Sequence, residues 1–176
     1  MTGPGTAGID AMPPILVLGI GNLVCGDEGF GVRAVTELGR RYRLSPRVRL
    51  MDGGTQGLYL VPYVTACTHL LVFDAIDYGL PPGTLRQLEG DEVPRHLASG
   101  KISVHQTGFQ EVLAAATLLG ALPAALVVIG VQPWSIESFE RDLSPPVAAR
   151  LGDALALAGL VLARWGAAPE AADREA

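Results

Sequence analysis

The fold is decided by residues 15–31, which read ILVLGIGNLVCGDEGFG. The first six residues are apolar or glycine, as expected of a strand that a parallel sheet buries on both faces. A glycine-rich loop follows, and a helical pattern begins at residue 30. A strand, a loop and a helix in this order predict the first part of a βαβ unit.

The same alternation of strands and helices continues along the chain. Apolar runs predict further strands at residues 48–51, 70–73 and 126–131, with a shorter one at 85–88. Helices are expected at residues 30–42, 58–66, 108–119 and 146–165. We therefore expect an α/β protein, a three-layer α/β/α sandwich with a mostly parallel central sheet, in a single domain.

This domain is expected to span residues 15–165. Residues 1–14 contain neither basic residues nor an apolar run, so we expect a disordered leader rather than a signal peptide. Met12 offers a second start of translation. Residues 166–176 are rich in Ala, Glu and Pro and are expected to fray.

Composition excludes several classes of partner. The 176 residues are 49% hydrophobic and carry a formal charge of −5 without a large basic cluster, which argues against nucleic acid. Residues 112–131 are uncharged and long enough to span a bilayer. Gly120 and Pro123 divide them, however, so a buried helix followed by a strand is expected, without membrane insertion. Cys25 and Cys67 lack metal-type spacing and are expected to be reduced thiols in a cytoplasmic protein.

Three polar residues are expected at one edge of the sheet. Ligands of open parallel sheets bind beyond the carboxyl ends of the strands. Glu28 lies in the loop after the first strand, Asp74 ends the third strand, and His105 precedes a predicted helix. Each has an ordinary structural explanation as a helix-end charge, a loop cap or a packing residue. Together, two carboxylates and an imidazole would suit a borderline divalent metal.

Other candidate residues are weaker. Asp77 is expected to belong to a turn, His69 lies at the start of a strand, and His96 is placed in a polar loop. Cys25 could approach the site but is interpreted as a packing thiol. The chain has neither a GxSxG nucleophile elbow nor an HExxH helix.

A dinucleotide site is a further alternative. Gly19 and Gly21 follow a strand, and Asp52 stands where a ribose-binding acid would lie. The third glycine of that motif would fall at Val24, and the acids at 27 and 28 would repel a pyrophosphate. The pattern therefore disfavours nucleotide binding.

Four segments, taken together, resemble the hydrogenase maturation endopeptidases, especially those that serve membrane-bound uptake hydrogenases. They are GIGNLVCGDEGFGVR at 19–33, DGGTQGLYL at 52–60, LLVFDAIDYGLPPGTL at 70–85 and KISVHQTGFQEVL at 101–113. The resemblance runs from about residue 15 to 165 with the motifs in the same order. Cys25-Gly26 departs from it, because a Trp-Ala pair is more familiar there.

The resemblance implies an aspartic-type endopeptidase that trims the C-terminal tail of the immature large subunit of a nickel–iron hydrogenase. It also implies that Glu28, Asp74 and His105 are both the metal ligands and the catalytic residues. The metal would be nickel, supplied by the active site of the substrate, and the enzyme would be a monomer or weak dimer. An autonomous metal-dependent hydrolase of small amides and a non-catalytic maturation chaperone remain as alternatives.

Overall fold

A computed structural model describes residues 13–99, 104–135 and 141–172 of the chain. The strands within these ranges are β1 Ile15–Ile20, β2 Tyr42–Arg43, β3 Val48–Gly54, β4 His69–Ala75, β5 Leu85–Glu89, β6 Ala125–Val131 and β7 Glu170–Ala171. The α-helices are α1 Phe30–Arg41, α2 Val61–Ala66, α3 Glu92–Ser99, α4 Val104–Leu118, α5 Pro145–Ala148 and α6 Leu151–Arg164. Short 3-10 turns precede α1 at Gly26–Gly29 and α2 at Gly57–Leu60.

The central sheet has five strands in the order β3-β1-β4-β6-β5. Its strands are parallel except for β5, which runs antiparallel to β6 at the edge. The connection from β1 leads to β3 on one side, whereas the connection from β4 leads to β5 and β6 on the other. The crevice between the carboxyl ends of β1 and β4 is therefore the topological switch point of the sheet.

Two hydrophobic layers cover the faces of this sheet. One layer packs α1 and α6 against odd-numbered strand residues such as Val17 and Phe73. The other packs α2, α3 and α4 against even-numbered residues such as Leu18 and Val72. This division follows from the alternation of side chains along each strand. The predicted three-layer α/β/α sandwich with a mostly parallel sheet is confirmed.

Two helices differ from the prediction. Helix α4 begins at Val104 rather than at residue 108, so that His105 lies within its first turn. Residues 92–99 form helix α3, so the backbone of His96 is helical rather than part of a polar loop. In both places polar residues and residues of low helix propensity obscured the pattern, and packing against neighbouring elements determines the helix.

The uncharged stretch at 112–131 forms the end of α4, a turn at Gly120 with φ +65° and strand β6, as predicted. Among the described residues, Pro145–Arg164 is long and apolar enough to cross a membrane by composition alone. This is weak evidence, since the core helix of a soluble protein meets the same criterion. Leu155 and Leu162 of this segment are buried against the sheet.

The two ends of the chain fall partly outside the described residues. The expected leader lies almost wholly there, as do residues 173–176. Residues 166–172 were expected to fray, but they are ordered against the rest of the chain: Ala167 is buried, and β7 pairs with β2. The Ala172 amide also donates a hydrogen bond to the Arg41 carbonyl at 3.0 Å, so that the chain after α6 is tied to the end of α1.

Candidate functional site

Glu28 and Asp74 meet at the switch point between β1 and β4. Glu28 lies in the 3-10 turn after β1, and Asp74 is the last but one residue of β4. The Asp74 side chain is only 4% exposed, whereas Glu28 is half-buried. Glu28 and Asp74 are far apart in sequence, and they are brought together because β1 and β4 are adjacent parallel strands whose carboxyl ends lie side by side.

The environment of Asp74 favours its neutral form. Burial raises the pKa of Asp74 to about 8, a hydrogen bond from the Ala75 backbone opposes this rise in pKa, and the negative charge of Glu28 adds to it. A buried carboxylate beside a second carboxylate would be stabilised by a cation or a proton between them. Such an arrangement is typical of a functional site rather than of a structural cap.

Glycines bring the loop after β1 close to the strand ends. A Cβ atom on Gly31 would overlap the carbonyl oxygens of Ile20 and Phe73. Gly21 has φ +132°, and a Cβ atom there would overlap the Glu28 carbonyl. The Asn22 amide also donates a hydrogen bond to that carbonyl at 3.2 Å. The chain's own backbone thus requires these glycines, and their packing sets the position of Glu28.

Asp27 is a structural residue of the site that sequence reasoning missed. Its carboxylate is 2% exposed and accepts hydrogen bonds from the Ser144 amide at 2.7 Å, the Ser144 hydroxyl at 2.8 Å and the Trp134 amide at 2.8 Å. These bonds join the turn that carries Glu28 to the loop after β6 and to the N-terminus of α5. The feature of the sequence that could have indicated this role is the pair of adjacent acids, Asp27 and Glu28. The first of them is structural, whereas the second lies at the site.

Gln132 orders the loop after β4 in a similar way. Its Oε1 accepts hydrogen bonds from the Tyr78 amide at 2.7 Å and the Leu80 amide at 3.2 Å, and its Nε2 donates to Asp77 at 3.1 Å. Asp77 also accepts from the Gly79 amide at 2.9 Å, which confirms that it belongs to a turn. Sequence reasoning did not single out Gln132, because its partners belong to a loop distant in sequence.

The backbone of His105 lies in the first turn of α4, on the same face of the sheet as the Asp74 side chain. The side chain of His105 is outside the described residues, so its distance to the two carboxylates stays a prediction. Among the side chains that the structure describes, no group of three or more His, Cys, Asp or Glu could hold a metal ion. At this edge, Glu28 and Asp74 contribute two carboxylates to the site.

The remaining candidates have structural roles. The ring of His69 packs edge-to-face on that of Trp165 with centroids 5.0 Å apart, at the opposite edge of the sheet. Asp52 accepts a hydrogen bond from the Gly54 amide at 2.9 Å and closes the end of β3. Both cysteines are free thiols, and burial raises the pKa of the Cys67 thiol to about 11. Cys25 is half-buried in the loop before Glu28.

The fold and the site define a class: a three-layer α/β/α protein with paired carboxylates at the switch point of its sheet. A family model described as HycI, hydrogenase maturation protease, matches residues 32–159. The hydrogenase expression/formation protein HupD of Bradyrhizobium diazoefficiens is 56% identical over 152 residues, which are 86% of this chain and 79% of that protein. The hydrogenase 2 maturation protease of Escherichia coli K12 is 42% identical over 142 residues, covering 80% and 85% of the two chains.

A solved structure agrees with these sequence matches. The hydrogenase maturating endopeptidase HybD from E. coli matches with a TM-score of 0.85 at 38% identity, covering 89% of this chain and 96% of that one. The chain therefore belongs to the hydrogenase maturation protease family, and it is a hydrolase of the endopeptidase type. The resemblance seen in the sequence is confirmed.

Proposed function

We propose that this endopeptidase removes the C-terminal extension of the large-subunit precursor of a nickel–iron hydrogenase, and that nickel already held by the precursor directs the cleavage. Membership of the maturation protease family supports the reaction and the partner. The observation that carries the site is the convergence of Glu28 and Asp74 at the switch point, with the first turn of α4 on the same face as Asp74.

Glu28, Asp74 and His105 would bind the nickel that the substrate presents. Two carboxylate oxygens and one imidazole nitrogen suit a borderline divalent ion, and three ligands leave coordination positions for groups of the substrate or for water. The like charges of Glu28 and Asp74 further favour a cation between them. Docking would then strengthen when the precursor contains nickel, so that only a loaded subunit is processed.

The same residues would supply the hydrolytic chemistry. Metal ions activate peptide bonds by polarising the scissile carbonyl or by lowering the pKa of a bound water. One of the two carboxylates would accept the proton of the attacking water and pass it to the leaving amine. Glu28 is half-buried and reachable, whereas Asp74 is enclosed, and this difference in exposure gives the two acids different access to bulk water.

The reaction is assigned to the cytoplasm, where the free thiols of Cys25 and Cys67 would stay reduced. The enzyme would act as a monomer or weak dimer and would need no metal of its own between substrates.

The direct test compares precursor purified with and without nickel, each incubated with the protein and analysed by mass spectrometry. Release of the C-terminal extension from the nickel-loaded precursor alone supports the proposal. Equal cleavage of both precursors would show that nickel does not direct the cleavage. Binding of the precursor without any shortening would favour a chaperone, and stoichiometric zinc with hydrolysis of small amides would favour an autonomous metallohydrolase.

A further inference from the structure

Tyr78 occupies the space that a side chain at position 130 would fill. Gly130 lies in β6, and a Cβ atom built on it would overlap the hydroxyl oxygen of Tyr78 and come within 3.0 Å of the ring carbon that carries this oxygen. The hydroxyl oxygen is buried, and the ring packs in the hydrophobic layer beneath α4. The end of the Tyr78 ring therefore lies directly on the sheet, at the one position of this row that has no side chain of its own.

The register of the sheet places this hydroxyl beside Asp74. In the parallel pairing of β4 with β6, Asp74 is the partner of Gly130. The pair two positions earlier, Val72 and Val128, packs in the layer beneath α4, so Asp74 and position 130 face the same way. Neighbouring strands lie about 4.8 Å apart, and an Asp74 carboxylate that turns towards β6 can therefore reach a donor above Gly130.

Two contacts hold the tyrosine in this position. The guanidinium carbon of Arg86 lies 5.7 Å from the centre of the Tyr78 ring. Arg86 is the partner of Gly130 in β5, so that the ring lies between Asp74 on one side and Arg86 on the other. The backbone amide of Tyr78 donates a hydrogen bond to Gln132 Oε1 at 2.7 Å. Because ring and backbone are held separately, the hydroxyl has a defined place above the sheet.

The electrostatic environment keeps the Tyr78 phenol protonated. Burial raises the pKa of Tyr78, the charge of Asp74 raises it further, and Arg86 opposes this rise in pKa. A phenol that keeps its proton is a hydrogen-bond donor towards a carboxylate. Hydrogen bonds to an ionised acceptor are shorter and stronger than those between neutral groups. Tyr78 is therefore suited to stabilise Asp74 when this acid is ionised.

We propose that Tyr78 is a positioning residue of the endopeptidase: in the complex with the precursor, its hydroxyl donates a hydrogen bond to the Asp74 carboxylate and fixes the orientation in which this carboxylate meets the nickel. The proposal rests on the proposed nickel-directed function and adds a residue to the site of that reaction. Hydrogen-bond partners of metal-binding side chains orient these ligands, and their loss typically costs about 10–100-fold in metal affinity or activity.

The first part of the test measures tail release from nickel-loaded precursor by the full chain carrying Tyr78→Phe. This variant should lose at least about tenfold in kcat, because the ring stays while the hydrogen bond to Asp74 is lost. Its affinity for nickel-free precursor, measured by isothermal titration calorimetry, should match that of the wild type, because the docking surface is unchanged. Tyr63→Phe is the matched control: Tyr63 is also half-buried, with the Arg49 guanidinium 5.3 Å from its ring centre, and this variant should keep the wild-type kcat.

The second part tests the position of the hydroxyl without any substrate. Gly130→Ala should lower the melting temperature, because its methyl group overlaps the Tyr78 hydroxyl. Adding Tyr78→Phe to this variant should restore part of the lost stability, because it removes the overlapped atom. Adding Tyr63→Phe instead should restore none of it.

The outcomes separate the role of Tyr78 from the function on which it rests. If Tyr78→Phe keeps the wild-type kcat, or loses affinity for nickel-free precursor as strongly as it loses kcat, the positioning role is wrong while the endopeptidase function stands. If Tyr78→Phe restores no stability to Gly130→Ala, the hydroxyl does not lie beside Asp74 and the proposal is equally wrong. If the wild type releases no tail from nickel-loaded precursor, the proposed function is wrong and the role of Tyr78 falls with it.

Discussion

The Asp27 carboxylate accepts hydrogen bonds from both the backbone amide and the hydroxyl of Ser144, at 2.7 and 2.8 Å. This pair connects the turn before α1 with the start of α5, two elements that are more than a hundred positions apart in the sequence. Since Glu28 is the next residue after Asp27, the same bonds hold the turn from which Glu28 reaches Asp74. Asp27 is buried and is not proposed to contact the substrate, but it positions Glu28, which is proposed to do so.

The first prediction follows from the hydrogen bonds that Asp27 accepts. Asp27→Ala removes a buried carboxylate that accepts hydrogen bonds from two part-buried backbone amides, and it should lower the free energy of unfolding by about 2–4 kcal/mol. Urea denaturation followed by circular dichroism measures the change. The control is Asp153→Ala, which removes an exposed acid paired with exposed Arg150 and should change stability by less than about 1 kcal/mol. Equal effects of the two variants would show that the hydrogen bonds of Asp27 contribute little.

The second prediction concerns the close packing at Gly31. Gly31→Ala places a methyl group on the carbonyl oxygens of Ile20 and Phe73 and should destabilise the fold by about 3 kcal/mol or more. Gly152→Ala is the matched control, because a Cβ atom there meets nothing within 4 Å and the residue lies in a helix. That variant should be neutral or more stable by up to about 1 kcal/mol. Thermal unfolding of both proteins side by side measures the difference, and similar melting temperatures would contradict the packing.

The third prediction is the pH dependence of stability due to Asp74. Burial raises its pKa from 3.8 to about 8 in the folded chain, so the folded state binds the proton more tightly than the unfolded state does. The stabilisation of the folded state by this tighter proton binding is fully present below pH 3.8 and is lost as the pH rises towards 8. The free energy of unfolding of Asp74→Asn minus that of the wild type should therefore be larger at pH 8 than at pH 5, by at least about 1 kcal/mol. Parallel pH profiles of the two proteins would contradict the buried, proton-binding state.

The fourth prediction separates the two thiols. Burial raises the pKa of Cys67 to about 11, and its thiol donates a hydrogen bond to the Val64 carbonyl at 3.3 Å. Cys67 should therefore react with Ellman's reagent only after unfolding, since the thiolate is the nucleophile. The half-buried Cys25 should react in the native protein. One fast equivalent in the wild type and none in Cys25→Ser is the expected result, and a fast equivalent in Cys25→Ser would contradict it.

The sequence predicted the sheet and the two carboxylates because the relevant patterns are local. Apolar runs marked the ends of β1 and β4, and the acid after each run had to emerge at the same edge of a parallel sheet. The start of α4 was misplaced because Thr107 and Gly108 are poor helix formers, although α4 packs closely against the turn at Gly57.

Other parts of the site depend on contacts that no local pattern contains. The hydrogen bonds of Asp27 reach residues more than a hundred positions away, and those of Gln132 reach back to the loop after β4. The strand β7 exists because the end of α6 lies next to β2, which composition alone could not indicate. Long-range partners of this kind become visible only when the fold is known.

The measurement that tests the central claim most directly is the rate of tail release from nickel-loaded precursor by Glu28→Gln, Asp74→Asn and His105→Ala, with exposed Asp153→Asn as the control. The account predicts that each of the three site variants loses at least about a hundredfold in kcat/KM while circular dichroism shows an intact fold. The control should cleave at the wild-type rate. If folded variants of all three residues cleave normally, Glu28, Asp74 and His105 do not form the site.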